Sequence, residues 1–540
     1  MVENHRAEGE RYRAAGWWRD QTLLDDLTDH ALKRPAHPAV IAYEAGKLVH
    51  EISYAELEVL VERFAGALTQ LGVGRGDVVV IYVPNWWLLA PMYLGCARAG
   101  AIATPAQAEY RGREVGYILS ASRAKVCVSA DVFDGIDFAG RVAELAPPTL
   151  EHRVVVGGDA ARTGALDFTS LFVDTPWEWD RPAPGSGLGS DDPALLVFTS
   201  GTTGQPKAVV HSLNTIWAAG SSLSVPYGLT GHDLISIPQQ LTHVAGAVHA
   251  VYAPVGLGAT SVMHDTKADM HLMLEMIETH RVSWVHASPS RLADLLSAQR
   301  ALPRDTSSLR LISSSSAPIP QQMVADVRGV FGVELLACWG MTETGGCTTT
   351  RPDDPPGWGA HSDGRTMPWM ETRIGGDCGA GGIGRLFVRG ASLCLGYYGQ
   401  PDVYAASLDE EGWLDTGDMA RPDGHGGIRI TGRRADLITR PTGEKVPTLE
   451  IEALLTAHPA ITEAVLIGYP DPLIPEGDAV CAVVVAPADA VALEEIHGYL
   501  AGHEMTEDHW PDRLVLVDEL PKNALGKVLR NQLRTAIQER

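Results

Sequence analysis

Apolar residues recur along this chain with two different periods, and the two alternate. Val78-Val79-Val80-Ile81-Tyr82-Val83 is an unbroken apolar run of the length expected for a strand buried on both faces. Ser53 to Leu71 instead repeats at helical spacing, and Ser53 with Glu56 three positions on has the form of a capping box. Strands alternating with helices predict an α/β fold. Pro182 to Ser190 and Arg351 to Asp363 are rich in turn formers and read as loops. Beyond Gly432-Arg433-Arg434-Ala435-Asp436 the remaining residues carry a compact pattern of their own, with strands at Ala464 to Ile467 and Ala479 to Val485. The expectation is a large, multi-lobed N-terminal domain of β-sheets and packed helices over 1–432, and a small, mobile α+β C-terminal domain over 433–540. No internal repeat or low-complexity tract is visible.

At 540 residues, 45% hydrophobic and 20% charged, the chain is long enough for two or three domains. Its 67 acidic against 43 basic residues give a formal charge of −24, which excludes the basic footprint of a nucleic-acid or anionic-membrane binder. The seven cysteines form an odd set without a C-x-x-C pair, as expected of reduced thiols in the cytoplasm. The first twenty residues lack the apolar core of a signal peptide, and no run approaches the ~20 apolar residues of a membrane span. A monomer or homodimer free of membrane is expected.

The chemistry starts after the strand-like run Ala194 to Phe198. Thr199, Ser200, Gly201, Thr202, Thr203 and Gly204 gather hydroxyls and glycines into a loop that ends in the cation Lys207. Backbone N–H groups, hydroxyls and an ammonium converging in this way suit a polyphosphate. The spacing is not that of the Walker loop, because Gly-x4-Gly-Lys-Ser/Thr occurs nowhere in the chain.

Further motifs follow in order: Thr242-His243-Val244-Ala245-Gly246, Trp339-Gly340-Met341-Thr342-Glu343-Thr344, Gly384 to Gly390, Gly412 to Asp418, Gly432-Arg433, and Leu520 to Lys527. With the phosphate loop, this ordered set resembles the AMP-forming superfamily of acyl-CoA synthetases, luciferases and peptide-synthetase adenylation domains, over nearly the whole chain. It is closest in flavour to the medium-chain and alicyclic acid–CoA ligases. The resemblance implies an enzyme that activates a small carboxylic acid with ATP as acyl-AMP, releases pyrophosphate, and passes the acyl group to a thiol. ATP, Mg2+ and coenzyme A are the implied cofactors.

By the same resemblance, the loop hydroxyls and Lys207 hold the triphosphate, with Glu343 and Thr203 as the metal ligands. Thr342 touches the α-phosphate, Asp418 accepts from the ribose hydroxyls, and Arg433 adds a second ribose or phosphate contact. Trp339 offers an aromatic face to the adenine, and Gly340, Met341, Ser316, Ala317 and Pro318 complete the ATP site. Lys527 is the mobile lysine bridging substrate carboxylate and ATP, and His243 gates the acyl pocket, so Lys527, His243, Thr342 and Glu343 are the catalytic set. Thr242, Gly246, His286, Ser314, Ser315, Cys338 and Thr344 are expected to line that pocket. Ser315-Ser316 stands where many relatives have Gly-Gly, and desolvated hydroxyls want partners, which favours a small, aromatic or hydroxylated acid over a bare acyl chain.

Three departures keep the acceptor open. The hinge position two residues after Arg433 is Ala435. The loop Ile438 to Glu444 is one residue longer than is usual in the family, and Thr506 to Pro511 is acidic where relatives place lysines. The alternatives are a carrier-protein pantetheine, an amine, or activation of nitrite for capture by an aromatic amine. A non-catalytic nucleotide-binding protein is a third reading; Lys207, Glu343, Asp418, Arg433 and Lys527, all in place, argue against it.

Overall fold

A computed structural model describes residues 2–179, 187–199, 206–265, 269–376, 382–442, 444–471, 474–487, 490–522 and 528–538. Among these residues the chain forms a nine-stranded, an eight-stranded, a four-stranded and a three-stranded sheet, with one two-stranded ribbon. The expected α/β character is what is found.

The two large sheets are parallel at their centres. Val78–Tyr82 pairs in parallel with Ile102–Pro105 in one, and Trp284–Ala287 with Leu311–Ser314 in the other. Val78–Tyr82 is buried at every position, so its sequence shows no alternation. One apolar core lies between the sheets and takes Val79 and Leu195 from one, Ile235 and Trp284 from the other, and Phe64, Leu94 and Ile216 from intervening helices. Helices Met270–His280, Pro289–Ala301 and Gln321–Phe331 close the outer face of the nine-stranded sheet, and Gly112–Ala121 and Phe138–Leu145 that of the eight-stranded one. The result is five alternating layers of helix and sheet. Ser53 caps Tyr54–Gln70 as its sequence predicts: Ser53 N–H donates to Glu56 Oε2 at 2.8 Å, and Glu56 N–H to Ser53 Oγ at 3.3 Å.

The four-stranded antiparallel sheet follows, with Leu414–Pro422 pairing Ile428–Arg433. One of its strands, Gly384–Gly390, alternates buried with half-buried positions, as a sheet covered on one face should. The last sheet joins Glu463–Asp471, Ile474–Val485 and Arg513–Val517, containing both strands expected from the sequence. It has its own apolar cores on both faces.

A buried ion pair ties the final helix, Arg530–Gln538, to this sheet. Arg530 donates to both oxygens of Glu452, at 2.7 and 2.8 Å, and to the Leu466 carbonyl, while Leu466 N–H donates to Glu452. Removing one member of such a pair strands the other's charge away from water, at about 3–5 kcal/mol. Glu452→Ala should therefore lower the stability of this C-terminal unit by about 3 kcal/mol, read as an earlier unfolding step in urea.

Candidate active site

The hairpin of Pro193–Phe198 and Ala208–Ser212 carries the phosphate loop on its turn. Thr199 N–H donates to the Lys207 carbonyl at 2.9 Å, and Lys207 N–H to Thr199 Oγ1 at 3.3 Å, so the base of the loop is pinned. Ser200, Gly201, Thr202, Thr203 and Gly204 lie outside the described residues. The Lys207 ammonium sits 4.8 Å from the ring centre of Tyr397. That ring belongs to the short strand Gly396–Tyr397, which pairs with Val209 and Val210 of the hairpin.

Tyr397 links the loop to the next motif, because its hydroxyl donates to Glu343 Oε1 at 2.8 Å. Glu343 is only 5% exposed, and its backbone carbonyl accepts from Cys394 N–H at 2.7 Å. Its neighbour Thr342 is held from behind by buried His211, whose Nε2 lies 2.8 Å from the Thr342 carbonyl. A carbonyl only accepts, so Nε2 carries the proton. Neither Tyr397 nor His211 was singled out in the sequence. A histidine one residue into a strand, or a tyrosine in a Gly-Tyr-Tyr run, carries no signal until the pairing of strands shows what each faces.

Trp339 to Glu343 run from the end of the strand Leu335–Met341 into a turn that returns as Gly345–Thr349. Gly345 holds φ +61°, and a Cβ there would come within 2.7 Å of the Ala219 side chain, so glycine is needed on both counts. A Cβ at Gly340 would overlap the Gly345 carbonyl oxygen. Thr344 spends its hydroxyl inside the turn, donating to the Gly345 carbonyl at 3.0 Å, and Met341 N–H leans on the same hydroxyl.

A second carboxylate, Asp418, is 5% exposed and gathers Trp339 and Arg433, two of the residues expected to hold the nucleotide. Trp339 donates its indole N–H to Asp418 Oδ2 at 3.0 Å, and Arg433 Nε lies 2.8 Å from Oδ1. Asp418 and Arg433 are direct cross-strand partners, which is why fifteen residues of separation collapse to one contact.

The expected pocket residues separate by sheet face. His286 bridges two hydroxyls, with Nδ1 2.8 Å from Ser313 Oγ and Nε2 3.0 Å from Ser315 Oγ; Ser313 also accepts the Trp284 indole N–H at 2.9 Å. Ser313, not Ser314, shares the face of His286. Successive residues of the strand Leu311–Ser314 point to opposite sides, and Ser314 pairs in register with Ala287 and Ala337 of the outer core. Of the serines expected at the pocket, Ser315 meets His286 and Ser314 turns to the outer core. Ser316, Ala317 and Pro318 are exposed beyond the strand end, and Ser316 sits at φ +76°, a left-handed conformation costing about 1–2 kcal/mol for a residue with a Cβ.

His243 begins a helical segment as its N-cap, with Nδ1 accepting from Ala245 N–H at 3.4 Å. Thr242 is buried, and its hydroxyl has no partner among the described residues. Gly246 approaches the Gln240 carbonyl so closely that a Cβ would overlap it. Cys338 is buried beside Trp339, and burial pushes its thiol pKa up to about 12. His249 lies with its ring centre 6.1 Å from that of His286 and 6.0 Å from that of Trp284.

Lys527 lies outside the described residues, as does Gly443. The elongated loop and the acidic segment, separate in sequence, meet through Arg440. Its guanidinium donates to the Asp508 and Trp510 carbonyls at 2.5 and 2.6 Å and pairs with Asp512 at 2.5 Å, and it is buried. At the expected hinge, Arg433 and Arg434 pair backward with Asp418 and Asp415, whereas Asp436 pairs forward with Arg530 at 3.5 Å.

Burial keeps three histidines neutral. It lowers His211 and His286 from 6.5 to about 4, and His249 to about 3 with a smaller push from His286. The unfolded chain therefore binds protons that the folded one refuses as pH falls below about 6.5. Stability is full above that pH and declines towards pH 4, by up to about 1.4 kcal/mol per pH unit per histidine. The urea midpoint should fall between pH 7 and pH 5, and His286→Asn should flatten the slope.

Comparison with known proteins agrees with this architecture. Residues 27–398 match the family described as AMP-binding enzyme, and residues 450–527 the AMP-binding enzyme C-terminal domain. The chain is 28% identical to a medium-chain fatty-acid–CoA ligase of Escherichia coli, over 98% of this chain and 93% of that one. It is 31% identical to a salicyl-AMP ligase / salicyl-S-ArCP synthetase of Mycobacterium tuberculosis, over 96% and 91%. Among solved structures, the anthranilate CoA ligase AuaEII in complex with anthranoyl-AMP superposes with a TM-score of 0.80 at 25% identity, covering 96% of this chain and 97% of that one.

Proposed function

The chain belongs to the AMP-binding enzyme family, and on that premise we propose that it activates a small carboxylic acid with ATP and transfers the acyl group to coenzyme A. The acid's carboxylate attacks the α-phosphorus of ATP, pyrophosphate leaves, and an acyl-AMP remains. A thiol then attacks the acyl carbon and AMP departs. Acid–CoA ligases among the relatives support this course.

The observation that carries the reading is the convergence of Lys207 and Glu343 on Tyr397, which sets a phosphate-binding cation and a buried carboxylate on one ring. Lys207, Thr202 and Thr203 hold the triphosphate, and Thr342, steadied by His211, reaches the α-phosphate. Glu343, an oxygen donor of the hard type that Mg2+ prefers, would hold that ion with Thr203, and the ion would supply positive charge to the phosphates. Asp418 and Arg433 take the ribose. Trp339, Gly340, Met341 and the segment Ser316 to Pro318 flank the adenine. His243 gates the pocket lined by Thr242, Gly246, His286, Ser313, Ser315, Cys338 and Thr344.

The two domains divide at 432/433, and the second carries Lys527 as a lid. The opposite pairing of Arg433 and Asp436 supports a swivel there. Among the described residues six cysteines are free and buried, which supports a cytoplasmic setting. Among the described residues no helix is long and apolar enough to cross a membrane.

A second reading keeps the adenylation and changes the acceptor to a carrier-protein pantetheine or an amine, or the activated acid to nitrite. It is favoured by the acidic segment 506–511, whose backbone Arg440 ties to the loop 438–444 through the Asp508 and Trp510 carbonyls, so that the Asp508 carboxylate lies beside Thr442 and makes that face poor for a polyanion. The salicyl-AMP relative, named also as an ArCP synthetase, supports the carrier form.

Pyrophosphate release from MgATP across small aliphatic, alicyclic and aryl acids and nitrite, with and without CoA, tests both. An acid-dependent signal ending in the mass of an acyl-CoA is the expected result; an adenylate that CoA never consumes overturns the choice of acceptor. Lys527→Ala should slow adenylation about 10² to 10³-fold while leaving the melting temperature unchanged, and undiminished pyrophosphate release would remove Lys527 from the mechanism.

A further inference from the structure

Lys207 and Glu343 bring opposite charges to one ring, yet no ion pair joins them among the described residues. Tyr397 takes both. Its hydroxyl donates to Glu343 Oε1 at 2.8 Å, and the Lys207 ammonium lies over the ring, 4.8 Å from its centre. The face of an aromatic ring is negative and attracts a cation, whereas a phenol hydroxyl gives a carboxylate the donor it needs. One uncharged side chain thus meets two opposite charges that Coulomb attraction would otherwise draw together.

The ring is set by its surroundings on several sides. Tyr397 stands opposite Val209 where Gly396–Tyr397 pairs with Ala208–Ser212, and Tyr398 N–H fixes that register by donating to the Ala208 carbonyl at 2.8 Å. Lys207 precedes Val209 by two residues, the spacing that returns a side chain to the same face of a strand. Buried Tyr404 packs edge-on against Tyr397, with ring centres 5.2 Å apart and planes at 80°, and its own hydroxyl donates to the Cys394 carbonyl at 3.1 Å. The same Cys394 donates its N–H to the Glu343 carbonyl, so the segment that carries the ring also fixes the backbone of the carboxylate.

A direct pair of Lys207 with Glu343 would spend both charges on each other. A triphosphate would have to displace the carboxylate from the ammonium, and a metal ion the ammonium from the carboxylate. With Tyr397 between them, Lys207 keeps its N–H donors, and Glu343 commits Oε1 alone; Oε2 takes no partner among the described residues. A cation over a ring is held more weakly than one bonded to phosphate, so a triphosphate can draw the ammonium away without breaking an ion pair. We propose that Tyr397 is a positioning residue that keeps Lys207 and Glu343 from pairing with each other, the ring face holding the ammonium for the triphosphate and the hydroxyl turning Glu343 so that Oε2 is left for Mg2+. This role rests on the adenylation reading, which supplies both ligands.

ATP is titrated calorimetrically into the full-length protein across a Mg2+ series that begins in EDTA. Mg2+ should tighten ATP binding by the unaltered protein. In Tyr397→Phe, which keeps the ring face, affinity in EDTA should stay within about twofold, while the tightening by Mg2+ should shrink about tenfold. Tyr397→Leu, which loses face and hydroxyl together, should bind ATP in EDTA about fivefold more weakly. Adding Glu343→Gln to Tyr397→Leu should restore that loss, because the carboxylate competing for Lys207 is gone, and Glu343→Gln alone should gain less; a ring that merely fills space would allow no such rescue. Should Tyr397→Leu fail to fold, the Mg2+ series on Tyr397→Phe decides the matter. ATP bound alike by Tyr397→Phe and the unaltered protein at every Mg2+ concentration, or a loss in Tyr397→Leu that Glu343→Gln leaves in place, overturns the proposal and leaves the adenylation reading standing. No binding of ATP by the unaltered protein, with or without Mg2+, overturns that reading and this role with it.

Discussion

A carboxylate taken out of water has to be given donors or cations, and two such groups, Glu343 and Asp418, tie this molecule's sheets together. Neither finds its partners nearby in sequence. Glu343 draws the Tyr397 hydroxyl from a strand that exists only because it pairs with the phosphate-loop hairpin. Asp418 draws Trp339 from the nine-stranded sheet and Arg433 from the next strand of the four-stranded one. The two buried carboxylates thus link three sheets, and removing Asp418 would strand polar groups on two of them.

Around these charges the interior is polar but uncharged. His211, His249 and His286 are held neutral by burial, so they act as hydrogen-bonding surfaces and not as cations. The bridge from His286 to Ser313 and Ser315 sits where strand ends open, and Ser316 beside it keeps a left-handed backbone that glycine would adopt freely. Strain at that position is a reason to place function there, since backbone cost is tolerated where the surroundings hold it in place.

The connection between the large unit and the small one is electrostatically divided. Arg433 and Arg434 are anchored to Asp418 and Asp415, and Asp436 to Arg530, so the turn between them can change its dihedrals without breaking either anchor. Arg440 imposes the opposite constraint on its own unit, binding the long loop rigidly to the acidic segment.

The α/β class, the capping box at Ser53, the strands of the C-terminal unit and the residues Lys207, Glu343, Trp339, Asp418 and Arg433 were legible in the sequence. Each depends on local spacing or on a contiguous motif, and local spacing is what a linear chain displays. His211, Tyr397 and Arg440 were not legible, nor was the face that Ser313 and Ser314 each take, because their contacts depend on strand register and on which face of a sheet a side chain leaves. A shift of one residue reverses that face, and nothing in the composition records it. Sequence alone determined which chemical groups this protein has and in what order. Only the tertiary structure decided which of them share a crevice, because hydrogen bonds between sheets are set by packing the layers together and not by distance along the chain.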